Sequence, residues 1–141
     1  MNVTRLLLAA LAGFAAYMTY GGVAFGHFPS LKAEFLKYPA VYRDQGGQMS
    51  HLPLGMAGVF LSVLVVAVLY ALNCREGAGW PEGARFGAWI GLFVVGAFVL
   101  HNYTNLNVGL KLTLQQACMY FVQWVTVGLM VGLIYRPLAA R

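Results

Sequence analysis

Charged side chains are scarce in this sequence. They make up 9% of its 141 residues, whereas soluble domains commonly carry about 25%. Hydrophobic residues reach 60% and the mean hydropathy is +0.70, so the chain has more apolar surface than one soluble core of this size can bury. The composition therefore excludes an ordinary soluble domain, and it leaves no room for a second, soluble domain beside the apolar segments.

Acidic residues are fewer still, and none of them falls within an apolar run. The four are Glu34, Asp44, Glu76 and Glu82. Proton pumps usually need an ionisable group inside the membrane, so this distribution argues against a pump. Hydrolytic catalysis is also disfavoured, because no Ser-His-Asp, Cys-His or paired-carboxylate set lies at matching depth. We therefore expect a protein that is not an enzyme.

Cysteine occurs only twice, and no C-x-x-C pair is present. Cys74 follows the second apolar run at the face that also holds the chain termini, whereas Cys118 lies in the fourth run, about two turns from the opposite face. Two turns cover roughly 11 Å of a hydrocarbon core about 30 Å thick. The sequence therefore predicts no disulfide between them, since bridged Cα atoms lie within about 7 Å.

Four long apolar runs account for most of the chain. At about 20 residues per membrane-spanning helix, they predict spans at residues 4–25, 54–73, 86–105 and 110–135. The predicted fold is an all-α integral membrane four-helix bundle, with residues 1–141 forming a single transmembrane domain. The first run could instead be a signal peptide, but it is long and lacks a clean A-x-A cleavage site, so we expect it to be retained.

Basic residues outnumber acidic ones, which gives a net charge of +5. In a soluble protein this would suggest nucleic acid as a partner. Here the basic residues are spread over the ends of the spans, where Lys and Arg anchor helices and meet anionic lipid head groups. We expect the lipid bilayer as a partner, and no nucleic acid.

The distribution of basic residues also predicts an orientation. An even number of spans places five of them on the side of the termini (Arg5, Arg75, Arg85, Arg136 and Arg141) and four on the other side (Lys32, Lys37, Arg43 and Lys111). Short cytoplasmic segments carry the excess of Lys and Arg. We therefore expect cytoplasmic termini, with the protein in the cell inner membrane.

The longest polar segment covers residues 27–53. Within it, Leu31, Phe35 and Tyr38 recur at helical spacing, opposite Lys32 and Glu34. This pattern predicts a short amphipathic helix that lies flat in the membrane interface. The alternative is a lid over a pocket.

Glycines four residues apart occur in three of the predicted spans. Gly22 and Gly26 close the first, Gly87 and Gly91 lie in the third, and Gly128 and Gly132 lie in the fourth. Such pairs let the backbone of a neighbouring helix come close. We expect the glycine-rich third span to be the central helix. If these faces bind another chain, the protein is a structural or accessory subunit, or a homo-oligomer.

Polar side chains gather where the third span ends and the fourth begins. The candidate ligand-binding residues of this polar corner are His101, Asn102, Asn105, Gln116, Tyr120 and Gln123. Because an unsatisfied amide in lipid is costly, these groups either bond one another and hold the two helices together, or line a polar cavity. The second alternative predicts a small transporter-like or ligand-binding bundle.

Three histidines are predicted to lie near the same membrane face. They are His27, His51 and His101, and imidazole is a common ligand of zinc and copper ions. No H-x-x-x-H spacing places two ligands on one element. A metal site at these residues is therefore the third hypothesis, and the expectation is that the protein has no cofactor.

The order of these features resembles a group of small bacterial membrane proteins with about four helices and no established activity. The resemblance is carried by YGGVAFG at the end of the first span and by a C-terminal pattern that starts at Asn102-Tyr103. That pattern continues through Leu110-Lys111-Leu112, Ala117, Tyr120, Gly128 and Gly132. The group commonly has Trp before the Tyr of its first helix, where this chain has Thr19. The resemblance implies a bacterial origin and a four-span topology. It identifies neither a substrate nor a catalytic residue.

Overall fold

The computed structural model describes residues 2–74 and 79–136. Its helices are α1 (Val3–His27), α2 (Pro29–Phe35), α3 (Gln45–Asn73), α4 (Trp80–Asn105) and α5 (Leu110–Ile134). No strand occurs within these ranges, so the all-α prediction is confirmed. Arg75 and Arg141, which entered the orientation count, lie outside the described residues.

Four of the helices, α1, α3, α4 and α5, are long and apolar enough to cross a membrane. Each has at least 25 residues, and about 20 suffice for the hydrocarbon core. The remaining helix, α2, has 7 residues and connects α1 to α3 together with the turns that follow it. The four helices agree in number and order with the four predicted spans.

Helix α3 begins at Gln45, well before the predicted start of the second span at Leu54. Asp44 caps it, since the side chain accepts a hydrogen bond of 2.7 Å from the backbone N–H of Gly47. Pro53 therefore lies inside the helix, and His51 lies on its first turns instead of in a loop. Hydropathy misses this beginning because most of its residues are polar or glycine, and no continuous apolar run starts before Leu54.

The most buried of the four long helices is α5, which corrects the expectation that the third span is central. One side of α5 packs against α4 and another against α1, and α3 closes the core beside α1. Fully buried residues of this core include Ala9 and Ala10 of α1, Val63 of α3, and Val127 and Val131 of α5. Helix α4 buries mainly one narrow face, and Phe86, Ile90 and Val94 beside it are partly buried against the core.

That face of α4 consists of Gly83, Gly87 and Gly91. Gly83 and Gly87 lie against Gly128 and Gly132 of α5, and Gly91 lies against Phe121. A Cβ atom added at Gly128 would stand 2.6 Å from the Cα atom of Gly87, and one added at Gly132 would stand 2.8 Å from that of Gly83. The two backbones are thus in direct contact. The predicted close approach at the glycine pairs of α4 and α5 is confirmed, and Gly83 extends it by a turn.

The pair Gly22 and Gly26 behaves differently. Cβ atoms built at these positions meet nothing within 4 Å among the described residues, so the predicted close packing there does not occur within the chain. Helix α1 instead comes close to its neighbours at Gly13, where an added Cβ would stand 2.9 Å from Val63. Equal spacing in the sequence thus gives opposite environments.

The last part of α4 departs from regular α geometry. Val95–Leu100 forms a π-helical segment, and α-helix resumes at His101–Asn105. A wider turn rotates the residues after it around the helix axis relative to a continuous α-helix. The glycine face ends at Gly91, because the position one turn later is Val95, and Gly96 has open space beside it.

The glycine contact predicts that Gly128→Ala destabilises the bundle. The added methyl group collides with the α4 backbone, which cannot move aside as a flexible side chain can. We expect a loss of about 1–3 kcal/mol in the free energy of unfolding, the usual cost of overpacking. This loss is measured by unfolding the wild type and the variant in mild detergent and monitoring their helix content by circular dichroism.

The matched control for this substitution is Gly22→Ala, which adds the same methyl group to open space on α1. It should leave stability unchanged or raise it by up to about 1 kcal/mol, because alanine favours helix over glycine. Equal losses in both variants would contradict the proposed role of the glycine face.

Candidate functional site

The two asparagines of the predicted polar corner lie at the end of α4. The side-chain amide of Asn105 donates a hydrogen bond of 3.0 Å to the backbone carbonyl of His101 and also lies 3.0 Å from the Nε2 atom of that histidine. Asn102 is half-buried one turn earlier than Asn105. Both asparagines therefore belong to the helix end, and the two bonds of Asn105 are local.

Gln123 is the most buried amide of the predicted set, with 2% of its surface exposed. Its Nε2 atom donates a 2.9 Å hydrogen bond to the backbone carbonyl of Tyr17 on α1. Gly21 makes room for it, since a Cβ atom there would stand 3.2 Å from Nε2. This amide connects α5 to α1, not to α4 as the sequence suggested.

Gln116 bonds neither α4 nor α1 but the segment that follows α2. Its Nε2 atom donates a 3.2 Å hydrogen bond to the hydroxyl of Tyr42, in the segment that follows α2. Tyr120 packs edge-on against Phe98 of α4, with 5.9 Å between the ring centroids. The six predicted residues thus do not bond one another across α4 and α5, and the expected polar corner is not a single site.

The three histidines each have local partners. The Nδ1 atom of His27 lies 3.2 Å from the carbonyl of Val23, and that of His51 lies 2.9 Å from the carbonyl of Gly47. Within residues 2–74 and 79–136 no group of three or more His, Cys, Asp or Glu side chains could hold a metal ion. The structure therefore gives no support to the metal hypothesis.

A different part of the molecule brings functional groups together. We call residues 29–44, which comprise α2 and the turns after it, the strap. Three polar contacts connect the strap to the beginning of α5: Glu34 binds Lys111 at 3.2 Å, the hydroxyl of Tyr38 accepts a 2.9 Å hydrogen bond from the N–H of Gly109, and Tyr42 binds Gln116. The polar segment is thus attached to the bundle.

Glu34 is central to this attachment. Its Oε2 atom lies 2.8 Å from the ammonium group of Lys37 and 3.2 Å from that of Lys111, and its side chain is only 6% exposed. The sequence pattern placed Glu34 on the exposed face of a flat helix, and that prediction was wrong. Two lysines neutralise the carboxylate, so it can lie against α5.

The same contacts change the acidity of Glu34. The hydrogen bond from Lys37, with the ammonium group of Lys111 beside it, lowers the pKa of the carboxyl below its ordinary value. This attraction outweighs the desolvation that accompanies burial and acts in the opposite direction. The carboxylate is therefore ionised at neutral pH, and the ion pairs persist there.

A cavity of about 390 Å³ lies between the strap, the end of α1 and the first half of α5. Leu31 of the strap is buried beside it, in contact with Ala24 and Met119. The cavity is lined by Tyr20, Ala24, Phe28, Ser30, Leu31, Leu114, Gln115, Cys118, Met119 and Val122. Ser30 and Leu31 of the strap thus form part of the cavity wall, and the interpretation of this segment as a lid stays a prediction.

The wall of the cavity is mainly apolar, and none of the residues that line it is charged. The Oε1 atom of Gln115, which belongs to the lining, is buried and has no hydrogen-bond partner among the described residues; the same holds for the Oε1 atom of Gln123, which does not line the cavity. Cys118 also lines the cavity, and it and Cys74 are free thiols. An uncharged hollow with one unsatisfied acceptor suits a small, mostly apolar ligand that carries a hydrogen-bond donor.

Sequence reasoning did not select Gln115. A signal was present, because Leu114, Cys118 and Val122 recur at intervals of four residues on α5, and Tyr20, Ala24 and Phe28 do so on α1. Two such stripes can face each other across a groove. Only the packing shows that the strap, instead of a fifth long helix, covers the space between them.

The chain was compared with protein-family models, with curated proteins and with solved structures, and none of the three comparisons finds a match.

The ion pairs of Glu34 predict a pH-dependent attachment of the strap. Because its folded-state pKa is lowered, the ionised carboxylate stabilises the attached strap above the ordinary carboxyl pKa of about 4.3. This stabilisation is lost as the pH falls through the lowered pKa. In Glu34→Gln the strap should therefore exchange amide hydrogens faster than in the wild type at pH about 7.

The measurement is hydrogen exchange of peptides from residues 29–44, expressed as the ratio of variant to wild-type rates at each pH. The ratio removes the intrinsic pH dependence of exchange. It should exceed one at neutral pH and approach one in acid. A ratio of one at every pH would show that the ion pairs do not hold the strap.

Proposed function

We propose that the protein is a multi-pass integral membrane protein. The four long apolar helices support this, and so do the large side chains on their outer surfaces, such as Leu61 and Leu72 of α3 and Trp89 and Phe93 of α4, which are all exposed. Monomeric soluble proteins rarely expose apolar surface on this scale. A bilayer would cover it.

The bacterial inner membrane is the proposed location, with both termini in the cytoplasm. The resemblance to small bacterial four-span proteins supports the first part, and the excess of basic residues on the side of the termini supports the second. In this orientation the strap and the cavity face away from the cytoplasm, because α1 ends and α5 begins on that side.

The orientation predicts the behaviour of reporter fusions in a bacterial host. Green fluorescent protein fused after Arg141 should fluoresce, and alkaline phosphatase fused there should be inactive. Alkaline phosphatase fused after Asn105, between α4 and α5, should be active, because that connection would lie outside the cytoplasm. The reverse pattern would contradict cytoplasmic termini.

Within the membrane, we propose that the protein is a non-enzymatic ligand-binding or transporter-like bundle. The observation that carries this proposal is the cavity of about 390 Å³ beneath the strap, with the unsatisfied oxygen of Gln115 in its wall. Its volume lies within the roughly 300–1,000 Å³ range of small-molecule sites. The working region is therefore placed between α1, α2 and α5, and the residues at the end of α4 are assigned a structural role.

The second candidate function is that of an accessory subunit of a membrane complex. It is favoured by the beginning of α3, where every residue from Gln45 to Gly58 is exposed or half-buried. Gly55 and Gly58 have open space beside them, as do Gly22 and Gly26 of α1. A second membrane helix could approach these positions closely.

Native mass spectrometry of protein released gently from its own membrane separates the two candidates. If the cavity is a binding site, a small molecule should accompany the wild-type chain and should be lost from Cys118→Trp, whose indole would fill the hollow. The control is Leu61→Trp, which places the same side chain on the exposed surface of α3 and should keep the small molecule.

The remaining outcomes are equally specific. A stoichiometric partner chain without any small molecule would favour the accessory subunit and overturn the ligand-binding proposal. A monodisperse single chain with neither small molecule nor partner would contradict both candidates. Retention of the small molecule by Cys118→Trp would place its site outside the cavity.

A further inference from the structure

The identity of the ligand can be narrowed from the wall of the cavity, an inference that rests on the proposed binding function. Gln115 and Gln116 are adjacent on α5, so their side chains point about 100° apart. Gln116 bonds Tyr42 of the strap, whereas Gln115 lines the cavity. Its Oε1 atom is buried without a partner among the described residues, although buried carbonyl oxygens are normally hydrogen-bonded.

The electrostatics of the region exclude a charged ligand. No charged residue lines the cavity, and the one carboxylate of α2, Glu34, already pairs with Lys37 of the strap and Lys111 of α5. An ion in this hollow would lose its hydration without gaining a counter-charge. The ligand is therefore neutral.

The side on which the cavity opens indicates where the ligand comes from. The strap forms only one side of the cavity, and the lining residues of α5 are partly uncovered: Leu114 is 55% exposed and Val122 is 44% exposed. These residues belong to the outer surface of a helix proposed to span the membrane, so the opening faces lipid. A ligand that enters there must be soluble in the bilayer.

Size completes the description. A cavity of about 390 Å³ is near the lower end of the roughly 300–1,000 Å³ range of small-molecule sites, and it is too small for the two acyl chains of a phospholipid. We propose that it binds a neutral single-chain amphiphile from the bilayer, whose hydroxyl group donates a hydrogen bond to the Oε1 atom of Gln115.

The test compares two probes with the same acyl chain. Monolauroylglycerol carries hydroxyl donors, whereas methyl laurate carries none. Both are added to the purified full-length protein, and the rate at which a maleimide reagent labels Cys118 is followed by peptide mass spectrometry. Cys118 lines the cavity, so a bound probe protects it, and the half-protecting concentration of each probe is the readout.

In the wild type, monolauroylglycerol should protect at a concentration about threefold to tenfold lower than methyl laurate, which is the effect of one net hydrogen bond. Gln115→Leu should remove this difference, because leucine offers no acceptor. Gln115→Met, which keeps an unbranched side chain, should do the same if the leucine variant folds poorly. The matched control is Gln116→Leu, which should keep the wild-type difference.

The comparison between variants decides the question. The two probes partition differently into detergent or lipid, but this difference is the same for every variant. If each probe has the same half-protecting concentration in Gln115→Leu as in the wild type, the proposed hydrogen bond to Gln115 is overturned, but the proposed binding function is not. If the difference between the two probes disappears only in Gln116→Leu, the preference for the hydroxyl-bearing probe depends on the bond between Gln116 and the strap, and the assignment to Gln115 is wrong. Protection by neither probe would instead count against the cavity as a site for apolar ligands.

Discussion

The contact on which the rest of the bundle depends is the glycine face between α4 and α5. Helices that lie in lipid gain little from burying apolar surface against each other, so close packing of backbones becomes an important source of attraction. Gly83 and Gly87 against Gly128 and Gly132 provide it. Because only one side of α5 is used in this way, its remaining sides are free to contact α1, α3 and the strap.

Polar groups then determine how the other elements meet α5. Gln123 bonds the backbone of α1, Gln116 bonds Tyr42, and Lys111 binds Glu34. Each of these groups has a protein partner at a different depth along the same helix. Gln115 differs from these groups because it lines the cavity and its side-chain oxygen has no partner among the described residues; the oxygen of Gln123 also lacks one, but Gln123 does not line the cavity. Of the glutamines of α5, Gln116 and Gln123 therefore connect the helix to the strap and to α1, whereas Gln115 is the side chain proposed to contact a ligand.

Several features of the fold could be predicted because they are local. The four long helices follow from apolar runs of sufficient length, whereas the glycine spacing marks where a close approach is possible without deciding which pair makes it. Other features, such as the start of α3 and the burial of Glu34, depend on interactions that the local pattern does not show. The apolar run suggested that the second span begins at Leu54, but the Asp44 cap lies upstream of it and starts α3 at Gln45. Glu34 was assigned to an exposed face because the two lysines that neutralise it could not be placed from the pattern alone.

The sequence by itself determined the class of the molecule: an all-α chain with four helices long and apolar enough to cross a membrane, and with its few charges near their ends. These properties depend only on composition and on the length of each run. The tertiary structure alone decided which faces meet. In a chain this apolar, exposed and buried sides have similar residues, so periodicity does not distinguish Gly22 from Gly128. Nor does it distinguish Gln115 from Gln116, because a helix side chain acquires its role from the element packed against it.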